Sequence, residues 1–344
     1  TLAMSYYADL DVSTIDSATS NVVLQANNDI NINASVNIGL AGIGFSAEAG
    51  GYVNVNQSIT TNGGAVSLTA GAAGAAPAPS EGALYVNGAI NTNGGNISLH
   101  SNLSDVGGNA TYIAAPLNAG TGAVNISGQR VDVVGTAALI EGQTININTT
   151  AANGNISIAG VTLNSVNGLW IAATGAESDV TVSDSTLTVS GAGDLQLIAE
   201  QGSVDATSVM ASASSGDILI SGGATSAAQY GSGVYLSGGS FIASGAVTID
   251  GSTIQSYANG VEISDDITLS SSAGTSILGL SLAPSDAGNG VRISIGDGFV
   301  GLTGSGALIA IGQTNGNYSG VSVYDTINRT GWDIVLHGSG VGRG

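Results

Sequence analysis

Gly260-Val-Glu-Ile-Ser-Asp-Asp-Ile-Thr-Leu-Ser-Ser-Ser-Ala-Gly-Thr-Ser-Ile-Leu-Gly-Leu280 decides the fold of this chain. Apolar residues alternate with polar ones at 261–263, 267–269 and 277–280, the period of strands with one buried face. A loop at 283–289 leads to Gly290-Val-Arg-Ile293, and the pattern starts again. Gly-apolar-x-apolar also opens Gly168-Leu-Trp-Ile171, Gly233-Val-Tyr-Leu236 and Gly320-Val-Ser-Val323. A second phrase, Gly-x-apolar-x-apolar, recurs at Gly64, Gly95, Gly122, Gly154, Gly193, Gly216 and Gly245. Further back, Ile59-Thr-Thr-Asn-Gly-Gly-Ala-Val-Ser-Leu68 returns as Ile90-Asn-Thr-Asn-Gly-Gly-Asn-Ile-Ser-Leu99.

Three short strands per period of about 30 residues cannot bury their apolar face alone and must stack on neighbouring copies. Propeller blades need about 40 residues and signature aromatics, and leucine-rich repeats need Leu-dominated positions with a fixed Asn or Cys. The pattern therefore predicts an all-β, right-handed parallel β-helix. It should have roughly eleven coils of three strands, running as one continuous domain over 1–344, with the insertions at 71–80, 224–232, 283–289 and 313–319 emerging at one corner.

Composition agrees. Gly is 54 of 344 residues, charged residues are 8 % and aromatics 4 %, so Ser, Thr and Asn must supply the polar surface. There is no Lys; the basic residues are Arg130, Arg292, Arg329 and Arg343, against a net charge of −20. That balance argues against nucleic acid and anionic membranes, which need clustered cations. No segment approaches the ~20 apolar residues that span a bilayer, so no membrane insertion is expected. The absence of Cys removes disulfides and thiolate metal sites. The start at Thr1 carries no signal-peptide pattern, which points to a processed product or an excerpt.

The segment Asn21-Val-Val-Leu-Gln-Ala-Asn-Asn-Asp-Ile-Asn-Ile32, with the repeated Gly-Asn-Ile-Ser-Leu and Gly-Ala-Val-Asn-Ile strands, resembles the repeat region of filamentous-haemagglutinin-like bacterial exoproteins. The resemblance lies in repeat style over nearly the whole chain. It implies a secreted or cell-surface shaft or adhesin, whose partner would be a polysaccharide or cell-surface receptor. No Asn-Pro-Asn secretion motif is present, so the chain does not look like the family's N-terminal secretion domain.

The search for chemistry yields no catalytic residue, metal ligand or cofactor. Asp265 and Asp266 form the only adjacent acidic pair, but neighbouring strand residues point to opposite faces, so they read as a turn rather than a hydrolytic pair. His337 lacks the basic partners of a polygalacturonase site, and calcium-binding nonapeptides are absent. The candidate binding residues are aromatic. Tyr85, Trp170 and Tyr235 occupy the outward position of apolar-x-apolar strands, with Glu262, Arg292 and Ser322 in the same place in later copies. Tyr230 and Tyr257 each precede a strand-opening Gly by three residues. One aromatic file on a flat face would stack sugar rings. The plainer expectation is a side-chain ladder that stabilises the rod, with Glu262 and Arg292 as a cross-coil ion pair. No terminal amphipathic helix is read, which leaves both ends uncapped and open to head-to-tail self-association.

Overall fold

The computed structural model describes residues 9–72, 81–103, 108, 110–225, 231–283, 286–293, 300–324, 327–329 and 333–340. Strands follow one another from Val22 to Gly340, and they pair in parallel into three ladders, making a β-solenoid. The first face runs from Val22–Ala26 to Ile334–Gly340 in thirteen strands, which mark twelve full turns. The second face begins at Ile30–Ile32 and the third at Val36–Ala41; they end at Val321–Val323 and Ile327–Arg329. Each turn visits the faces in that order, as expected from the sequence.

The coil length varies more than the 27–30-residue spacings of the C-terminal copies indicate. The first-face register steps by 21 residues from Phe45 to Val66 but by 33 from Thr275 to Leu308. Short, loop-free coils offset the long ones, so the number of turns agrees with the roughly eleven expected. At ~4.8 Å per step, twelve turns make a rod of about 58 Å.

Inward positions carry Val, Ile and Leu, nearly all fully buried, and they stack on their equivalents one coil away in a single continuous core. The repeat Ile59–Leu68 lies directly beneath Ile90–Leu99, with Ile59 paired to Ile90 and Leu68 to Leu99. Burial of each such side chain contributes about 1.5–3 kcal/mol, but only because the next coil covers it.

Glycine acts at the corners in two different ways. Between the second and third faces, six successive coils place at least one residue in the left-handed region: Gly135, Gly160, Asp184, Ser208, Gly238 with Gly239, and Asp265, with φ from 48° to 100°. Asp265 thus sits at the bend itself, within the strand that turns the corner, rather than in a separate turn between strands. In the coils carrying Ser208, Gly238 and Asp265 the chain bends with so little interruption that single strands, such as Val204–Ala213 and Val261–Ser271, serve both faces. The strand-opening Gly260 has another cause. A Cβ on Gly260 would lie 2.2 Å from the Leu280 nitrogen, because the first and second faces converge there. Close approach of the backbone, rather than a special dihedral, demands glycine.

All four insertions fall between a first-face strand and the next second-face strand, as between Val66–Ala70 and Leu84–Val86, at one corner of the coil; residues 73–80, 226–230 and 284–285 within them lie outside the described residues. Polar side chains there serve the backbone where the ladders are interrupted. Asn155 Oδ1 accepts from the Asp179 N–H at 2.9 Å, and Asp179 Oδ1 accepts from the Ser203 N–H at 2.7 Å. Asn259 and Asn289 repeat the arrangement, accepting from the N–H groups of Asn289 and Ser319. Backbone donors at this corner, that of Asn289 buried, are thereby satisfied one coil apart.

The expectation of two bare ends requires correction at one of them. A helix, Val12–Asp16, buries Ile15 against the core, and Asp16 accepts the Asn37 N–H at 2.7 Å across the third face. Asp11 caps it by accepting from Ser13 N–H at 2.9 Å, a local arrangement too short to register as helical periodicity. At the other end, Leu336 pairs with buried Ala310 yet remains 46 % exposed.

Candidate functional site

The predicted aromatics do not form one file; they divide among three places. Tyr85 lies on the second face, paired with Asn54 on one side and Tyr112 on the other. Its ring stacks on Tyr52 at 6.5 Å and 15°, and meets Tyr112 at 5.8 Å and 51°. The rings cover one another's faces, which makes this group a stabilising ladder. Tyr52 and Tyr112 are not among the residues the sequence singles out; their spacing of 33 and 27 residues from Tyr85, one coil length each, is the signal that could have found them.

Tyr235 also lies on the second face, paired with Asp205 below and Glu262 above. Its hydroxyl is 3.0 Å from Ser264 Oγ. Arg292 follows Glu262 in the same ladder, and the expected ion pair is present at 3.3 Å. Ser322 comes next in register. Glu262 also accepts hydrogen bonds from Ser232 and Asn259 at 3.1 and 2.8 Å.

Tyr257 belongs to no strand. It sits in the corner loop before Val261, with φ 61°, and its N–H donates to the Asp286 carbonyl at 2.6 Å. The corner folds it toward the second face, so Tyr257 and Tyr235 line one cleft of about 400 Å³ together with Asp205, Ser232 and Glu262. Burial raises the Asp205 carboxyl above its usual range; the Thr207 hydroxyl bond opposes this and the charge of Asp179 adds to it. The negative charge of Asp286 raises the Tyr257 phenol, and a hydrogen bond to the same residue adds to the shift. Tyr230 lies outside the described residues.

Trp170 is on a different side. Its phrase, Gly168-Leu-Trp-Ile171, reads like the second-face phrase but forms part of a first-face strand, Leu169–Ala173. Conversely, the phrase at Gly154 belongs to the second face, in Ile156–Ala159. Both faces use the same apolar alternation, so one residue more or less after Gly does not encode the ladder. Trp170 therefore does not share a face with Tyr235. It pairs with Asn146 and Gln196. Its indole is 51 % exposed, beside a shallow depression of about 380 Å³ bordered by Asn125, Asn146, Asn148, Thr150 and Thr174.

His100 is held in the first-face surface, with Nδ1 2.8 Å from Ser127 Oγ and Nε2 2.8 Å from Asn102 Oδ1. His337 is exposed on the last first-face strand. Among the described residues, no three of His, Asp and Glu are grouped to hold a metal ion, and no helix is long and apolar enough to cross a membrane. Comparison with family models, curated proteins and solved structures gives no match.

Proposed function

We propose that this chain is a non-catalytic extracellular rod, a shaft or adhesive segment of bacterial cell-surface type. The observation that carries the reading is the unbroken three-ladder stack whose four insertions all fall at one corner. Such a solenoid holds its loops in line and at a distance from whatever anchors it. Its function would then reside in presentation, with the low-charge faces available for contact. Surface location and adhesion rest on this geometry together with the repeat-style resemblance.

The test is to display the chain on a non-adherent bacterium and measure attachment to host-cell and polysaccharide-coated surfaces, while assaying the purified protein for release of reducing ends. Attachment without hydrolysis supports the reading. Hydrolysis by the purified protein, or no gain in attachment on any surface, overturns it.

A second reading is that copies stack end to end as filament subunits. It is favoured by the ladders themselves, in which each coil presents a parallel strand edge for the next to pair with. An edge of this kind offers backbone groups and apolar side chains to another coil.

A further inference from the structure

The most distinctive surface on the rod is set apart by the charge it lacks. Across seven consecutive coils, from Val66–Ala70 to Ile218–Ala224, no outward residue of the first face is Asp, Glu or Arg, although the chain carries a net charge of −20. The strip ends where Glu48 stands outward in the coil before it and Asp250 in the coil after. Near its middle the largest exposed side chain is the indole of Trp170. Asn146 lies directly beneath Trp170, and its Nδ2 donates to Asn125 Oδ1 at 2.9 Å, which aligns two amides beside the ring. Ala172, buried, forms the floor of the depression between Trp170 and Asn148.

We infer that Trp170 and the amides of Asn125, Asn146 and Asn148 bind a neutral polysaccharide lying on the first face. This rests on the adhesive-rod reading and specifies its partner. An exposed indole offers a flat apolar platform to the C–H face of a pyranose, at little entropic cost. Side-chain amides carry both donors and acceptors, so they match sugar hydroxyls without a charge to neutralise. The ligand's charge follows from the surroundings. A uronate or sulfated chain would meet the repulsion of the whole molecule, and a polycation would be drawn to the acidic corner cleft instead. An uncharged chain meets no such bias on this strip.

The test is affinity gel electrophoresis of the wild-type protein and of Trp170→Ala, Trp170→Tyr and Asn146→Leu. The probes are neutral polymers (dextran, mannan, xylan and mixed-linkage β-glucan), anionic alginate and hyaluronan, and cationic chitosan. Circular dichroism and electron micrographs of each variant confirm that the rod is intact. The expected result is retardation by at least one neutral polymer, weakened about tenfold or more by Trp170→Ala and by Asn146→Leu and partly retained in Trp170→Tyr. Equal retardation of Trp170→Ala and wild type, retardation by charged polymers alone, or none by any neutral polymer overturns the inference. Any of these results from intact rods that still confer attachment leaves the adhesive-rod reading standing, so the two fail separately.

Discussion

Arg292 and Glu262 stand directly opposite each other in adjacent coils, and Arg292 Nη1 lies 3.3 Å from Glu262 Oε1. The pair belongs to a vertical series, Asp205, Tyr235, Glu262, Arg292 and Ser322, in which each coil contributes one outward side chain at the same height. The guanidinium also lies 5.8 Å from the Tyr324 ring centroid. Because Arg292 is partly exposed, the pair itself contributes little. A double-mutant cycle through Glu262→Gln and Arg292→Met is expected to give a coupling of about 0.2–1 kcal/mol that shrinks in high salt. Coupling well above that range, or insensitive to salt, would assign the series a larger role in stability.

Close approach at the strand-opening Gly260 is open to a direct comparison. Gly260→Ala forces a Cβ into the Leu280 backbone, whereas Gly39→Ala meets nothing within 4 Å. Chemical denaturation should show Gly260→Ala destabilised by about 1–3 kcal/mol and Gly39→Ala nearly unchanged. Equal effects would mean that the convergence of the faces at Gly260 is not what selects glycine.

Ser208 tests the left-handed corner. With φ 55° and its coil neighbours Gly238 and Asp184 in the same conformation, Ser208→Gly should be neutral or slightly stabilising. Ser208→Val should cost about 1–2 kcal/mol, since a Cβ-branched residue resists this region. Thermal melts of the two variants separate the cases.

Asp250 carries a pH prediction. Its carboxyl is raised above the usual 3.8 by burial. The folded state therefore holds the proton more tightly than the unfolded chain, and this contribution to stability is complete below 3.8 and lost as pH rises through the folded value. At neutral pH the ionised group is a liability. Asp250→Asn should melt higher than wild type at pH 7, with the advantage fading on acidification towards pH 4 and gone below it. A difference that does not change with pH would exclude burial of the charge as the cause.

The sequence disclosed the architecture because the solenoid repeats its demands. Alternation at Val261, Ile263, Ile267 and Leu269 named the inward residues, the offset of Ile59 from Ile90 gave the stacking partner, and the glutamate–arginine succession gave the ion pair. Surface neighbourhoods were harder to read, since they depend on which ladder a strand joins. Trp170 and Tyr235 follow identical local patterns and lie on different faces. Tyr257 reaches Tyr235 only because a corner loop folds toward the second face, and no periodicity encodes that. The short helix at Val12–Asp16 spans too few residues for an amphipathic stripe, so only the Asp11 cap could have signalled it.

The central claim, that the chain acts as a rod presenting one corner and its faces, is tested most directly by negative-stain electron microscopy of the purified protein over a range of concentrations. The account predicts straight rods of uniform width, about 58 Å long as single particles, and lengths in multiples of that where ends stack. Round particles without a long axis at every concentration would contradict it.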